Sequence, residues 1–179
     1  MSEQPKRRLQ LWPLWIALLT VLLDQVSKYF VILYLKPVGV APIIGDALRL
    51  IYTENTGISF GRLQGMSTWI TILGATLVVG LLIGYRWLLT SSRWANLALG
   101  CIIGGATGNL IDRLITSTQV GLANSYVVDF ISVSIWPVFN VADSAITCGG
   151  IAYAVYLLFF HGRPRKKAKE GAQPHLGPL

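Results

Sequence analysis

LWPLWIALLTVLLDQVSKYFVILYL, residues 11–35, is longer than the roughly 20 apolar residues that a helix needs to cross a bilayer, and only Asp24 and Lys28 interrupt it with charge. Three further segments read the same way: STWITILGATLVVGLLIGYRWLL at 67–89, ANLALGCIIGGATGNLIDRLI at 95–115 and FNVADSAITCGGIAYAVYLLFF at 139–160. The composition agrees. The 179 residues are 53% hydrophobic and only 13% charged, whereas a soluble domain carries about 25% charged residues. The expected fold is an all-α membrane protein. Residues 1–179 form one integral domain, a four-transmembrane-helix bundle with a small β-sheet and loop region at its outer surface.

Charge sets the orientation. Lys6, Arg7 and Arg8 precede the first span, and Arg163, Arg165, Lys166, Lys167 and Lys169 follow the last. Arg86 and Arg93 flank the turn between the second and third spans. The first segment has no small-residue cleavage site before its apolar run ends, so it reads as a retained anchor and not as a removed signal peptide. Basic residues favour the cytoplasmic side, and an even number of spans puts both tails, 1–10 and 161–179, there. Neither tail interleaves aromatics with its charges, so topology explains them better than nucleic-acid binding. The connections at 36–66 and 116–138 then face outward. In the first, Leu48, Leu50 and Tyr52 alternate with Arg49, Ile51 and Thr53 like a short strand, and Glu54-Asn55-Thr56-Gly57 reads as a turn. Gly100, Gly104 and Gly108, and likewise Gly80 and Gly84, recur every four residues as helix-packing positions. Cys101 and Cys148 lie in apolar runs and read as packed small groups, not as a disulfide.

Ionisable groups at membrane depth are costly and usually serve a purpose. Asp24 and Lys28 share a helix face and can pair, at about mid-span. Asn109, Asp112 and Arg113 share another, as do Asn140, Asp143 and Thr147, both near outer helix ends. Asp112 beside Arg113 reads as scaffolding, and Asp46 and Glu54 as solvated loop carboxylates. Asp129 and Asp143, in YVVDFISVSIWPVFNVADS at 126–144, have no basic neighbour in their own segments. Two such carboxylates brought together share one proton, which supplies a general base for water and a general acid for a leaving amine without a metal. The spacing permits such a dyad and does not establish it.

DQVSKYF (24–30), NTGISFG (55–61), GGATGNLIDR (104–113), VVDF (127–130) and FNVADSAI (139–146) occur in an order that resembles the lipoprotein signal peptidases, signal peptidase II of bacteria. The resemblance implies an inner-membrane aspartyl endopeptidase that cleaves a prolipoprotein before a cysteine carrying diacylglycerol, next to membrane lipid. It implies no cofactor, metal or nucleic acid. It makes Asp129 and Asp143 the catalytic pair, and Asn140 the residue that orients them and meets the substrate backbone. Asn109 and Arg113 would line the pocket, Asn55 would contact substrate, and Asp24 would support fold and site. The ISVSIWPV link between the aspartates is shorter than in many members, and Ile58-Ser59 stands where two alanines are often found. A lipid-tethered substrate also explains an outer, interfacial site, since each buried CH₂ holds it to the bilayer by about 0.8 kcal/mol. Three other readings compete. A proton-coupled transporter would spread polar groups across the bilayer. A metal-dependent head-group transferase would cluster several acids on one segment. A non-catalytic assembly factor would make the aspartate pair a coincidence.

Overall fold

The computed structural model describes residues 9–57, 66–134 and 136–160. The basic tails and the Ile58-Ser59 pair lie outside the described residues. Four long helices form the body: α1 (Trp12–Phe30), α2 (Ser67–Leu88), α3 (Arg93–Val120) and α4 (Val141–Phe159). A wider π-type turn, Val31–Leu35, continues α1, so the combined apolar segment Trp12–Leu35 and the other three helices are each long and apolar enough to cross a membrane. Their exposed faces are apolar, with Leu18, Leu22, Leu73, Ile83 and Leu158 among the exposed side chains. The buried positions include Asp24, Lys28, Asn96, Asp112, Arg113 and Asn140. Apolar groups outside and polar groups inside is the distribution that a lipid solvent favours.

Local signals place the helix ends. Pro13 in the first turn of α1 removes an N–H that would have no partner there. The Ser92 hydroxyl caps α3 by accepting from the Ala95 N–H at 3.3 Å. Gly121, at φ +82°, ends α3 in a backbone region that side chains resist. α3 thus runs to Val120, five residues beyond the expected 115, because the polar TSTQ stretch carries the helix out under the sheet and only Gly121 stops it.

α3 is the central helix and packs on α1, α2 and α4. Its glycines make this possible. A Cβ on Gly100 would come within 2.5 Å of the Pro13 carbonyl oxygen, and one on Gly104 within 2.5 Å of that of Ala17. One on Gly108 would lie 2.6 Å from Asp24 Oδ2. Gly105 faces α4 in the same way, 2.5 Å from the Ala142 carbonyl. Gly80 and Gly84 behave differently: Gly80 has nothing within 4 Å and Gly84 only Leu88 of its own helix, so among the described residues the packing role read for them is not found. Cys101 is partly buried, but Cys148 is exposed on α4, which corrects its reading as a packed group.

Three antiparallel strands cover one end of the bundle, in the order β1 (Val40–Ile44), β2 (Leu48–Asn55), β3 (Val127–Val133). The expected strand is β2. It continues through Glu54 and Asn55, which were read as a turn, because both pair with β3 opposite Val128 and Val127. Val128 and Phe130 pack with Val31 and Leu35, which seats the sheet on the end of α1. Glu54 remains a surface group, accepting from Tyr52 Oη at 2.7 Å and Lys36 Nζ at 3.2 Å, and the Tyr52 bond is the main cause that lowers its pKa.

The close approach of α1 and α3 gives a direct test. Gly104→Ala should lower unfolding stability in detergent by about 1–3 kcal/mol, because α1 backbone must move. Gly80→Ala should leave it unchanged or raise it by up to about 1 kcal/mol. Equal effects at the two positions would contradict the packing described.

Candidate active site

Asn140 is the last residue before α4, and its side chain is fully buried. Its Oδ1 accepts the Asp143 N–H at 2.8 Å, and its own N–H reaches Asp143 Oδ2 at 3.2 Å, a reciprocal capping box that fixes the Asp143 side chain at the helix head. The Asn140 Nδ2 donates to Asp129 Oδ1 at 2.7 Å. One asparagine therefore ties both aspartates together. Asp129 is not in a loop, as expected, but in the middle of β3, buried and opposite Thr53 of β2. Its second oxygen accepts from Asn55 Nδ2 at 2.8 Å, and the Asn55 Oδ1 accepts from the Gly57 N–H. Asp143 Oδ1 accepts from Asn109 Nδ2 at 2.8 Å.

Among the described residues, every hydrogen bond to the two carboxylates is thus donated by an amide. Neither enters an ion pair among the described residues. Burial is the larger cause that pushes the Asp129 pKa up to about 7, and the charge of Asp143 adds to it. The bonds from Asn55 and Asn140 and the charge of Lys28 pull it back. Asn55, Asn109, Arg113, Asp129 and Asp143 share a cleft of about 330 Å³ with Thr147 and Gly57, and Trp136, Pro137, Val138 and Phe139 form its apolar wall. That wall is part of the short ISVSIWPV link and the residue after it. Phe139 returns to pair with Ile131 of β3, which closes the link into a tight loop.

A second polar layer lies behind the asparagines. Asp24 Oδ2 pairs with Lys28 Nζ at 2.7 Å, and Lys28 also pairs with Asp112 Oδ2 at 2.9 Å. Asp24 Oδ1 accepts the Ala142 N–H at 2.9 Å, so a side chain of α1 satisfies one of the free donors at the head of α4. The sequence sets Asp24 at about mid-span, apart from the groups at the outer helix ends, yet it reaches the head of α4. Counting along α1 alone missed that α4 begins level with the middle of α1. Asp112 holds β3 through the Val128 N–H at 3.1 Å, which is the scaffolding role read for it.

Arg113 lines the cleft, but its Nη1 is held at 3.0 Å by Ser67 Oγ and at 3.2 Å by the Ser125 carbonyl. Ser67, at the head of α2, also bonds the Ser125 carbonyl and hydroxyl, and Thr71 joins them. This anchor was not visible in the sequence, because nothing local connects positions 67 and 125. The apolar wall was missed for a similar reason, since Trp136 to Phe139 form a site only where the strand turns back.

A model of the family described as signal peptidase (SPase) II matches residues 16–159. The lipoprotein signal peptidase of Mycolicibacterium smegmatis (strain ATCC 700084 / mc(2)155) is 42% identical over 180 residues, covering 97% of this chain and 73% of its own. The lipoprotein signal peptidase of Syntrophomonas wolfei subsp. wolfei is 40% identical over 151 residues, covering 84% and 95%. The chain belongs to the signal peptidase II family. A solved structure titled as a bacterial membrane enzyme obtained by the in meso method at 2.3 Å superposes with a TM-score of 0.74 at 28% identity, covering 93% of this chain and 99% of that one. That likeness spans the four helices and the small sheet together. The protein is a membrane-embedded protease of bacterial type.

The raised Asp129 pKa has a consequence for stability. The folded chain binds this proton more tightly than the unfolded chain, so the Asp129 contribution to stability falls as pH rises from about 4 to about 7. Asp129→Asn should remove that slope and stabilise the protein at pH 8 by roughly 2–4 kcal/mol relative to wild type. Unfolding midpoints at pH 5 and pH 8 give the comparison. A wild-type slope unchanged by the substitution would contradict the burial of an ionising Asp129.

Proposed function

We propose that this signal peptidase II removes signal peptides from prolipoproteins, cleaving before a cysteine that carries diacylglycerol, with Asp129 and Asp143 as an aspartyl dyad. The observation that carries the reading is the pair of carboxylates joined through Asn140 on one cleft and held by amides, with no cation bonded to either among the described residues. The relatives named lipoprotein signal peptidases point to the same class of substrate.

In this reading the proton of the pair resides on Asp129, the buried member, and Asp143 carries the charge. Asp143 takes a proton from water as the water oxygen bonds the scissile carbonyl carbon, while Asp129 gives its proton to the carbonyl oxygen. The tetrahedral diol then collapses: the C–N bond breaks, the amine nitrogen takes the proton from Asp143, and Asp129 recovers a proton from the hydroxyl. Asn140 keeps the two acids in register, and Asn55 and Asn109 hold their outer oxygens. Arg113, fixed by Ser67 and Ser125, leaves the rest of its guanidinium to the substrate backbone. Trp136 and its neighbours give the substrate an apolar wall.

The architecture fits a substrate that cannot leave the bilayer. α1 continues from Asp24 to Leu35, about 16 Å at 1.5 Å per residue, so the dyad lies below the helix end and within reach of an interfacial peptide bond. With both termini cytoplasmic, as the basic tails imply, the sheet and the cleft lie at the outer surface of the inner membrane.

Asp129→Asn and Asp143→Asn should each lower cleavage of a diacylglyceryl-modified prolipoprotein by at least about 10³-fold, with membrane insertion unchanged. The purified wild type should leave the same precursor uncut when the lipid is absent. Near-wild-type turnover by either variant would remove the dyad from the mechanism, and equal cleavage of the unlipidated precursor would refute the substrate assignment.

A further inference from the structure

Lys28 is absent from the cleft. It lines a separate groove with Gln25, Tyr29 and Lys36, and its side chain is only 3% exposed. An ammonium has three N–H donors and no acceptor. All three have partners: Asp24 Oδ2 at 2.7 Å, Asp112 Oδ2 at 2.9 Å and Asn109 Oδ1 at 3.1 Å. The two carboxylates already supply all the counter-charge that Lys28 can use, so what it adds at Asn109 is direction. Only an acceptor can meet the third N–H, which forces the Asn109 oxygen toward Lys28 and the Asn109 amide N–H toward Asp143 Oδ1.

The other end of the chain of amides is fixed independently. The Asp143 backbone N–H can only donate, so it holds Asn140 by its oxygen and turns the Asn140 Nδ2 toward Asp129 Oδ1 and Asn109 Oδ1, the latter at 3.1 Å. A reversed Asn109 would set its NH₂ against Lys28 Nζ and Asn140 Nδ2, and its oxygen against Asp143. Each of those contacts would pair two donors or two acceptors in a buried site, at the full cost of an unmade hydrogen bond.

We propose that Lys28 is a positioning residue of the peptidase: through Asn109 it keeps an N–H donor on the Asp143 carboxylate in the orientation that catalysis needs. The inference rests on the dyad reading above. The charged groups around this array are Asp24 beside Lys28 on α1, Asp112 and Arg113 on α3, Asp129 on β3 and Asp143 on α4. Neither Lys28 nor Asn109 is asked to exchange a proton.

The test is a double-mutant cycle on the full chain with diacylglyceryl-modified prolipoprotein as substrate. Lys28→Met should lower kcat about 10–100-fold with KM within about twofold, as for residues that orient a reacting group from behind. In an Asn109→Ala background the same substitution should lower kcat by less than about threefold, because the amide it orients is gone. Equal losses in both backgrounds, or a rise in KM with kcat kept, would overturn the proposal. Should Lys28→Met fail to fold, Asn109→Asp decides, since it keeps the shape and a partner for Lys28 but has no N–H for Asp143. It should fold and lose kcat to a similar degree, and wild-type kcat in that variant would overturn the proposal. The two readings fail separately. An active Asp143→Asn enzyme sinks the dyad, whereas an inactive one with an additive cycle sinks only the role of Lys28.

Discussion

Burial of the Asp24 carboxylate is the constraint around which the rest is arranged. A carboxylate with no exposure is stable only when its lone pairs are met, and breaking such a pair by removing one partner costs about 3–5 kcal/mol. Three groups on two helices meet them. Lys28 lies one turn along α1, the Ala142 N–H lies at the head of α4, and Gln25 adds a donor at 3.2 Å. Room for the carboxylate exists because Gly108 of α3 has no side chain. One buried charge thus sets the spacing of α1 and α3 and the height at which α4 begins.

The height of α4 then places the proposed dyad. Asn140 and Asp143 occupy its first turn, and β3 is hung from the same layer by Asp112, which brings Asp129 alongside. Among the described residues the buried cations, Lys28 and Arg113, are bonded elsewhere, the first by Asp24 and Asp112 and the second by Ser67 and Ser125. Had either bonded Asp129 or Asp143, it would have favoured ionisation of both. Amide donors also favour the charged form, but less than a full positive charge would, and at Asp129 burial outweighs them.

The parts of this account that depend on local patterns were readable in the sequence. The four spans follow from apolar length, the β2 strand from alternation, and the Asp24–Lys28 pair from i,i+4 spacing. The aspartates stood out because their own segments hold no cation. What could not be read depends on stagger and on chain returns. Helical counting along α1 could not show that residue 24 meets residue 142. The Glu54-Asn55 pair carries turn-forming residues, yet cross-strand pairing with β3 keeps it extended. Equal four-residue spacing did not separate Gly100, Gly104 and Gly108, which face α1, from Gly80 and Gly84, which face no helix among the described residues. The short link after Asp129 is one wall of the cleft, and only its pairing back onto Ile131 reveals that.

The proposed dyad requires Asp129 to hold a proton near neutral pH. Infrared difference spectroscopy of the protein in lipid, titrated from pH 5 to pH 9, reads it most directly. A protonated-carboxyl C=O band is expected that disappears with a midpoint at about pH 7 and is missing in Asp129→Asn. A spectrum with no such band above pH 5, meaning that Asp129 ionises at the ordinary carboxylate pKa of about 4, would contradict it.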